Sequence, residues 1–484
     1  ILSYVSNINK SIVKVNKIKI LKKGLKYSQR FIATNFAVIQ FIEVSQKCKF
    51  LAVVDSLGEK IKSRRKELNM TLKDLAGDRI TPGQISLVES GRSNPSMDLL
   101  EYLATTLSTS VEYLMESQET QAEKICLYYE QIAETYILSG DYTKAEQYIE
   151  NSLYYAEKFD LEYRKAINLY LRAQIYLEKS ELILAQQFYL SANVIFIKNN
   201  NYEQVIKSFL NLGKITLNLK AFHSSISYLR QAEKVYLDNS IGNDSILGEI
   251  YYRMAYAYYK TNNMTQAINY SFFAKEKFEQ LGNQKQYAQT LRLLSKEYSK
   301  RGDLTNAIKY SQKALEIYRA LEEDKHIGDI ENSLGKLFYE FDNIEESFRH
   351  FTVAKEIRIR SKDERVIETL INICENYIKL KDLDRAEVVL AEISDFIECD
   401  NTEMLIEKDL LWYRVYTLRE KYAEAENSLL NSFNLAKISG LNKKAAEIAI
   451  MLGKYYVDFK KDSEAAKYLD EGVSIFKRLG MLAN

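Results

Sequence analysis

From residue 56 to residue 116 the apolar positions recur at helical spacing, in short runs separated by polar breaks. Leu57, Ile61 and Leu68 form one stripe, with Lys60, Arg64 and Arg65 beside it, and predict a first helix. Thr71 with Asp74 three residues on is an acidic variant of the capping box, and Leu72, Leu75 and Ala76 give a second helix its inward face. Gly77 breaks that helix. Thr81 then fits an N-cap, Pro82 the first helical position and Gln84 the third residue of another capping box. Ile85 and Val88 are the buried pair of this third helix, which stops at Gly91. Asn94, Pro95 and Ser96 cap a fourth, with Leu99, Leu100, Leu103 and Leu107 down its inner face, and "VEYL" from Val111 starts a fifth. The chain has two prolines, and both stand at helix starts on either side of the third helix.

From about residue 120 the pattern becomes periodic. A small residue just after each turn recurs as Ala145, Ala185, Ser225, Ala267, Ala307, Ser347, Ala386, Ala425 and Ala465, in steps of 39 to 42 residues. Nine units at one period predict a solenoid of helix pairs. Twelve residues before the marker the side chain is small in every unit except the one with Tyr413, which lets paired helices approach closely. Nine residues before it stands an aromatic ring in every unit except the one with Thr216, and rings there fill the wedge between helices. "SGDY", "RGDL" and "LKDL" fall between paired helices, and Gly, Asn or Asp is expected at the breaks. Long helices exclude proline from their interiors, so this part of the chain needs none.

Composition narrows the class. Charged residues at 27% and hydrophobic ones at 46% are ordinary for a soluble globular protein, and no apolar run is long enough to span a bilayer. The net charge of +1 is uneven: residues 1–53 carry ten Lys or Arg and one acid, for +9, leaving −8 on the remainder. That remainder does not support bulk polyanion binding. The four cysteines (48, 126, 374 and 399) form no CxxC pair and fit a reducing, cytoplasmic compartment. Residues 1–53 read as upstream sequence translated in frame, with the start near Val53 or Val54; the alternatives are a targeting peptide or a basic arm that touches DNA.

"LGEKIKSRRKELNMTLKDLA" followed by "ISLVESGRSNPSMDLLEYLATTL" resembles the helix-turn-helix domain of phage-repressor type (Xre-like) regulators over about sixty residues. The resemblance implies double-stranded DNA as a partner, with the N-terminal residues of the third helix at base edges in the major groove. The matching positions are Thr81, Pro82, Gly83, Gln84 and Ser86. Pro82 and Gly83 stand where longer polar side chains are usual, so the base code is thin. Gln84 has two uses open to it, pairing with an adenine edge or capping its own helix. Arg64, Arg65, Lys73, Arg92 and Asn94 match phosphate-contacting positions, which orient such a domain rather than specify sequence. Eight bases against five acids over residues 56–93 make a modest footprint, so a homodimer on a two-part site is expected.

The periodic part resembles the tetratricopeptide repeat over about three quarters of the chain, with slightly longer units and without that family's proline. The expected fold is therefore all-α: a five-helix repressor-type helix-turn-helix domain over 54–116, then a right-handed tetratricopeptide-like α-solenoid of about nine helix pairs over 117–484. Such a solenoid presents a trough to extended partners. The resemblance places Lys214, Tyr256, Lys296, Lys336, Glu375 and Arg414 on it, with Asn211, Tyr252, Arg292, Asn332, Asn372 and Asn376 beside them. Asn both donates to and accepts from a peptide backbone, and Lys or Arg holds a carboxylate. A short signalling peptide or protein segment is expected between about residues 205 and 420.

Together the two parts resemble the peptide-responsive regulators of Gram-positive bacteria, the RRNPP group, and within it the neutral-protease-regulator type. That implies a re-imported signalling peptide that alters the dimer and its DNA binding. The competing reading is an adaptor whose trough holds a signalling protein. An enzyme is not expected. The three His (223, 326 and 350) lie far apart, Gly328 and Gly335 in "GDIENSLGK" are seven rather than five apart, and no HExxH or CxxC occurs. No cofactor or metal is implied.

Overall fold

The computed structural model describes residues 54–397 and 401–481. Residues 1–53, read above as a leader, and Cys48 and Cys399 lie outside the described residues. The described chain is helical between short turns, and none of its helices is long and apolar enough to cross a membrane.

The first five helices among the described residues are α1 (Leu57–Glu67), α2 (Leu72–Ala76), α3 (Pro82–Glu89), α4 (Met97–Thr106) and α5 (Val111–Met115). Capping boxes start three of them, Ser56 with Glu59, Thr71 with Asp74 and Thr81 with Gln84. Each satisfies orphan N–H groups that a helix N-terminus leaves open. Ile61, Leu75, Ile85, Leu103, Leu107 and Leu114 close a core with no exposed surface. Two expectations shift. Leu68 is the C-cap of α1 and 38% exposed, because the chain turns away at Asn69 in the left-handed region (φ 53°). Pro95 precedes the N-cap of α4, which is Ser96.

Gly58 sets the distance between α1 and α3. A Cβ there would lie 2.5 Å from the Val88 carbonyl oxygen and 2.6 Å from that of Glu89. Neither backbone oxygen can yield without moving α3. Gly58→Val is expected to destabilise the domain by about 1–3 kcal/mol, the usual cost of overpacking. A denaturant series followed by amide exchange over residues 57–115 measures it.

Among the described residues, nine helix pairs follow. Of the described residues, 54–241 form one compact unit and those from 242 to 481 another. In the first unit α6 (Gln118–Ser139) pairs with α7 (Tyr142–Lys158), α8 (Glu162–Glu178) with α9 (Leu182–Lys198), and α10 (Tyr202–Asn218) with α11 (Phe222–Asp238). In the second, α12 (Asp244–Lys260) pairs with α13 (Met264–Gln280), α14 (Gln284–Arg301) with α15 (Leu304–Ala320), and α16 (Asp324–Glu340) with α17 (Ile344–Arg360). The pairs α18 (Val366–Lys379) with α19 (Leu383–Phe396), α20 (Thr402–Leu418) with α21 (Tyr422–Ile438) and α22 (Asn442–Asp458) with α23 (Asp462–Arg478) complete it.

The repeated small residues do the work their spacing suggests. A Cβ on Gly213 would meet Leu229 at 2.7 Å, and one on Gly335 would meet Phe351 at 2.5 Å, so these glycines let a large side chain sixteen residues later lie against the backbone. In six of the nine units the aromatic nine before the marker stacks on a ring three after it. Tyr136 lies on Tyr148, Tyr176 on Phe188, Tyr258 on Tyr270, Tyr298 on Tyr310, Phe338 on His350 and Tyr456 on Tyr468, at 5.2–5.6 Å between centroids. Such pairs add stability beyond their buried area. The breaks are less selective than expected. Left-handed positions fall on Lys220, Glu322, Lys381, Glu420 and Lys460 as well as on Gly, Asn and Asp. Backbone N–H bonds to the carbonyls of the preceding helix hold those turns, for example Ala221 to Thr216 at 2.8 Å.

Candidate DNA-binding face and repeat polar ladder

α3 buries Ile85 and Val88 and exposes Thr81, Pro82, Gly83, Gln84 and Ser86. Leu87 belongs with them: it is 45% exposed and shares a helix face with Gly83 and Gln84. An exposed leucine here offers apolar contact to a thymine methyl, a readout the polar pattern of the sequence did not suggest. Gln84 is spent on its own helix. Its Oε1 accepts from the Thr81 N–H at 2.9 Å, while Thr81 Oγ1 accepts from the Gln84 N–H at 3.2 Å. Bidentate pairing with adenine needs that same carbonyl oxygen, so it would cost the cap.

The flanking bases divide into two sets. Arg65 sits inside the domain. Its Nε and Nη2 donate to both carboxylate oxygens of Glu89 at 2.6 and 2.9 Å, and its Nη1 to the Met70 carbonyl at 2.9 Å. This fork joins α1 to the C-terminal end of α3, and with both side chains nearly buried it commits three of the five guanidinium N–H groups inside the domain. Arg64 is partly committed, to the Leu107 carbonyl at 3.1 Å and to Glu67 at 2.6 Å. Lys73, Arg92 and Asn94 are exposed and are in no ion pair among the described residues. Of the expected phosphate-contacting side chains, these three are the most available.

Lys60, beside the apolar stripe of α1, is buried. Its ammonium donates to the Tyr113 carbonyl at 2.9 Å and the Glu116 carbonyl at 2.6 Å, and desolvation lowers its pKa. Gln121 on α6 continues the contact, donating to the Asp55 carbonyl at 2.9 Å and accepting from the Asp55 N–H at 3.1 Å. Glu116 also pairs with Lys124 of α6. The five-helix domain is thus tied to the first repeat helix through polar atoms of both.

Of the expected ligand-holding residues, Asn211 and Lys214 lie in the first unit and the rest in the second. Asn211 donates to the Tyr170 hydroxyl at 3.0 Å. In the second unit a polar ladder runs along the first helix of successive pairs. Arg292 faces Asp329 at 3.6 Å, Asn372 donates to Asn332 at 3.2 Å, Asn332 to Glu368 at 3.3 Å, Lys336 to Glu368 at 2.7 Å and Arg414 to Glu375 at 3.3 Å. Burial acts to raise the Glu368 pKa, but Lys336, Arg358 and Asn332 outweigh it and hold it below the usual value. Tyr252 and Tyr256 are half-buried on α12. Lys296 is in no ion pair among the described residues, and desolvation together with nearby Arg292 lowers its pKa.

Asn376 does not join the ladder. It is fully buried and exchanges hydrogen bonds with Ser347 at 2.9 and 3.4 Å, because its face of α18 turns into α17. Sequence reading passed over the ladder's acids, Asp329 and Glu368. Both stand eighteen residues before a repeat marker, as do Glu249 and Glu407, and that constant offset was a usable signal. Arg358 and Arg365 were also passed over, although both pair with Asp329.

The described cysteines, Cys126 and Cys374, are buried, and desolvation pushes their thiols up to about 11 and about 12. Neither has the character of a nucleophile. His350 is taken up by Glu331 at 2.6 Å and by the Phe338 ring.

Against known proteins, the helix-turn-helix family matches residues 61–114 and the tetratricopeptide repeat family matches 128–159, 246–320 and 286–360. The HTH-type transcriptional regulator DdrOP3 of Deinococcus deserti is 39% identical over 64 residues, which are 13% of this chain and 50% of that protein. The chain thus spans half the length of this curated relative. Among solved structures, the apo form of the quorum sensor NprR from B. thuringiensis aligns with a TM-score of 0.52 at 16% identity, over 73% of this chain and 99% of that one. A signal-transduction ATPase with a tetratricopeptide repeat sensor, PH0952 from Pyrococcus horikoshii, aligns with a TM-score of 0.50 at 16% identity, over 95% of this chain and 67% of that one. At such identities the likeness is one of fold.

Proposed function

We propose that this chain, which joins a helix-turn-helix domain to tetratricopeptide repeats, is a DNA-binding transcriptional regulator gated by a short peptide held on its repeat helices. The observation that carries the reading is the state of α3. Its buried face is clamped by Ile85, Val88 and the Arg65–Glu89 fork, while Pro82, Gly83, Ser86 and Leu87 stand exposed. That is what a helix needs to enter a major groove as a rigid body. The regulator from Deinococcus deserti supports the DNA half, and the fold shared with a quorum sensor supports the peptide half.

Lys73, Arg92 and Asn94 would hold phosphates. Lys336 and Lys296, both exposed, would meet the acidic groups of the peptide, while the buried Asn332 and Asn372 hold each other and Glu368 in place behind them. One such domain offers few base contacts, so two copies bind two half-sites as a homodimer. A peptide that prefers one arrangement of the repeats shifts the population able to span both half-sites. Coupling of that kind is typically worth about 1–3 kcal/mol, or roughly 5–150-fold in affinity.

Fluorescence anisotropy of the full chain on DNA from upstream of its own gene tests the reading. Wild type binds, and Lys73→Ala and Arg92→Ala each weaken binding across sequences and lower the salt slope by about one. No binding at low salt would overturn it.

A further inference from the structure

We propose that the exposed face of α9 is where a second copy of this chain docks, antiparallel to the first about a two-fold axis at Leu190. The inference rests on the regulator reading for its occupant, since a repressor-type domain works as a pair on two half-sites.

α9 is apolar on both faces. One face carries Ala185, Tyr189, Ala192 and Phe196, all fully buried in the repeat core. The other carries Ile183, Leu190, Val194 and Ile197, which are 67%, 37%, 67% and 51% exposed. Their spacing of seven, four and three residues keeps them on one side of the helix, with Gln187 the polar residue in the row. A helix that is apolar all round is ordinarily covered on all sides.

The same repeat positions elsewhere show that the stripe is not a property of the repeat. In α7 they hold Thr143, Glu150, Tyr154 and Glu157, and in α11 His223, Arg230, Lys234 and Leu237. Four aliphatic side chains in that row occur in α9 and in no other second helix of a pair whose positions are all described. Repetition sets a polar default, and α9 departs from it at every position of the row.

The stripe is also complementary to itself. Leu190 lies midway between Ile183 and Ile197, seven residues from each. A two-fold axis through Leu190 sets Ile183 of one copy against Ile197 of the other, at both ends of a helix about 25 Å long. It also brings Glu181, at the N-cap, beside Lys198 of the other copy, in the last turn. Both are exposed, and neither is in an ion pair among the described residues. An acid at one end and a base at the other match a reversed copy, whereas a parallel copy would set like against like.

Sedimentation equilibrium of the full chain at micromolar concentration is the test. Wild type is expected to be a dimer. Ile183→Glu with Val194→Glu is expected to raise the dissociation constant at least 100-fold with an unchanged far-ultraviolet circular dichroism spectrum, since both side chains are exposed. Glu181→Lys is expected to weaken the dimer, and adding Lys198→Glu to restore it, which a structural defect would not do. Leu190→Cys, in a chain with Cys48 and Cys399 replaced by serine, is expected to cross-link to its copy on mild oxidation. A monomeric wild type overturns the proposal, and so does a doubly substituted chain that remains a dimer. If the dimer behaves as expected but no variant binds DNA, the surface stands and the regulator reading falls.

Discussion

Arg65→Ala is expected to abolish DNA binding without touching DNA. The substitution leaves the Glu89 carboxylate nearly buried with no cation, and it frees the Met70 carbonyl. Breaking a buried pair by removing one partner typically costs about 3–5 kcal/mol, a large part of what a domain of this size has. α3 would then lose its hold on α1 at its C-terminal end. Arg65→Lys should recover little, because an ammonium cannot make the two parallel bonds. The single tryptophan, Trp412, lies in α20 and reports on the repeats alone. Loss of amide protection over residues 57–115 with an unchanged Trp412 unfolding transition is therefore the predicted result. Wild-type DNA affinity in Arg65→Ala would show that the fork is dispensable and return Arg65 to the phosphate contacts.

The second large effect is on pH. Glu297 is fully buried on α14, takes one hydrogen bond from Ser271 at 2.9 Å, and has its second oxygen unpartnered. Desolvation raises its pKa from 4.5 to about 8. The folded chain therefore holds this proton more tightly than the unfolded chain does. Below pH 4.5 the group costs nothing; as the pH rises from there to about 8 the unfolded state sheds the proton first, and stability falls. At about 1.4 kcal/mol per pH unit, the loss approaches 5 kcal/mol above pH 8. Glu297→Gln keeps an acceptor for Ser271 and cannot ionise. Urea midpoints read by Trp412 should fall between pH 6 and 9 in wild type and fall much less in Glu297→Gln. Equal slopes in the two proteins would mean that Glu297 is hydrated or ionised in the folded state.

Much of this was legible in the sequence because it is periodic or local. Capping boxes at Thr71 and Thr81 announce helix starts within four residues, and the marker from Ala145 to Ala465 counts nine helix pairs. What needed three dimensions was which polar side chain spends itself inside the fold. Arg65, Lys73 and Arg92 look alike in sequence, yet Glu89 claims the first across 24 residues. Asn372 and Asn376 sit one turn apart, yet only the second meets Ser347 in α17. The stacked rings could have been found, since Tyr148, Phe188, Tyr270 and Tyr310 share one repeat position. They were missed because each stack joins two helices and neither helix alone shows it.

The central claim is that DNA and a peptide bind one chain and feel each other. Linkage makes this reciprocal: if a peptide changes DNA affinity by some factor, DNA changes peptide affinity by the same factor. The direct measurement is isothermal titration of the full chain with synthetic peptides encoded by short reading frames beside its gene, with and without saturating upstream DNA. The account predicts a peptide whose affinity differs at least fivefold between the two titrations, and Lys336→Ala should weaken its binding in both. A peptide bound equally in both, or none bound at all by a chain that binds DNA, would contradict it.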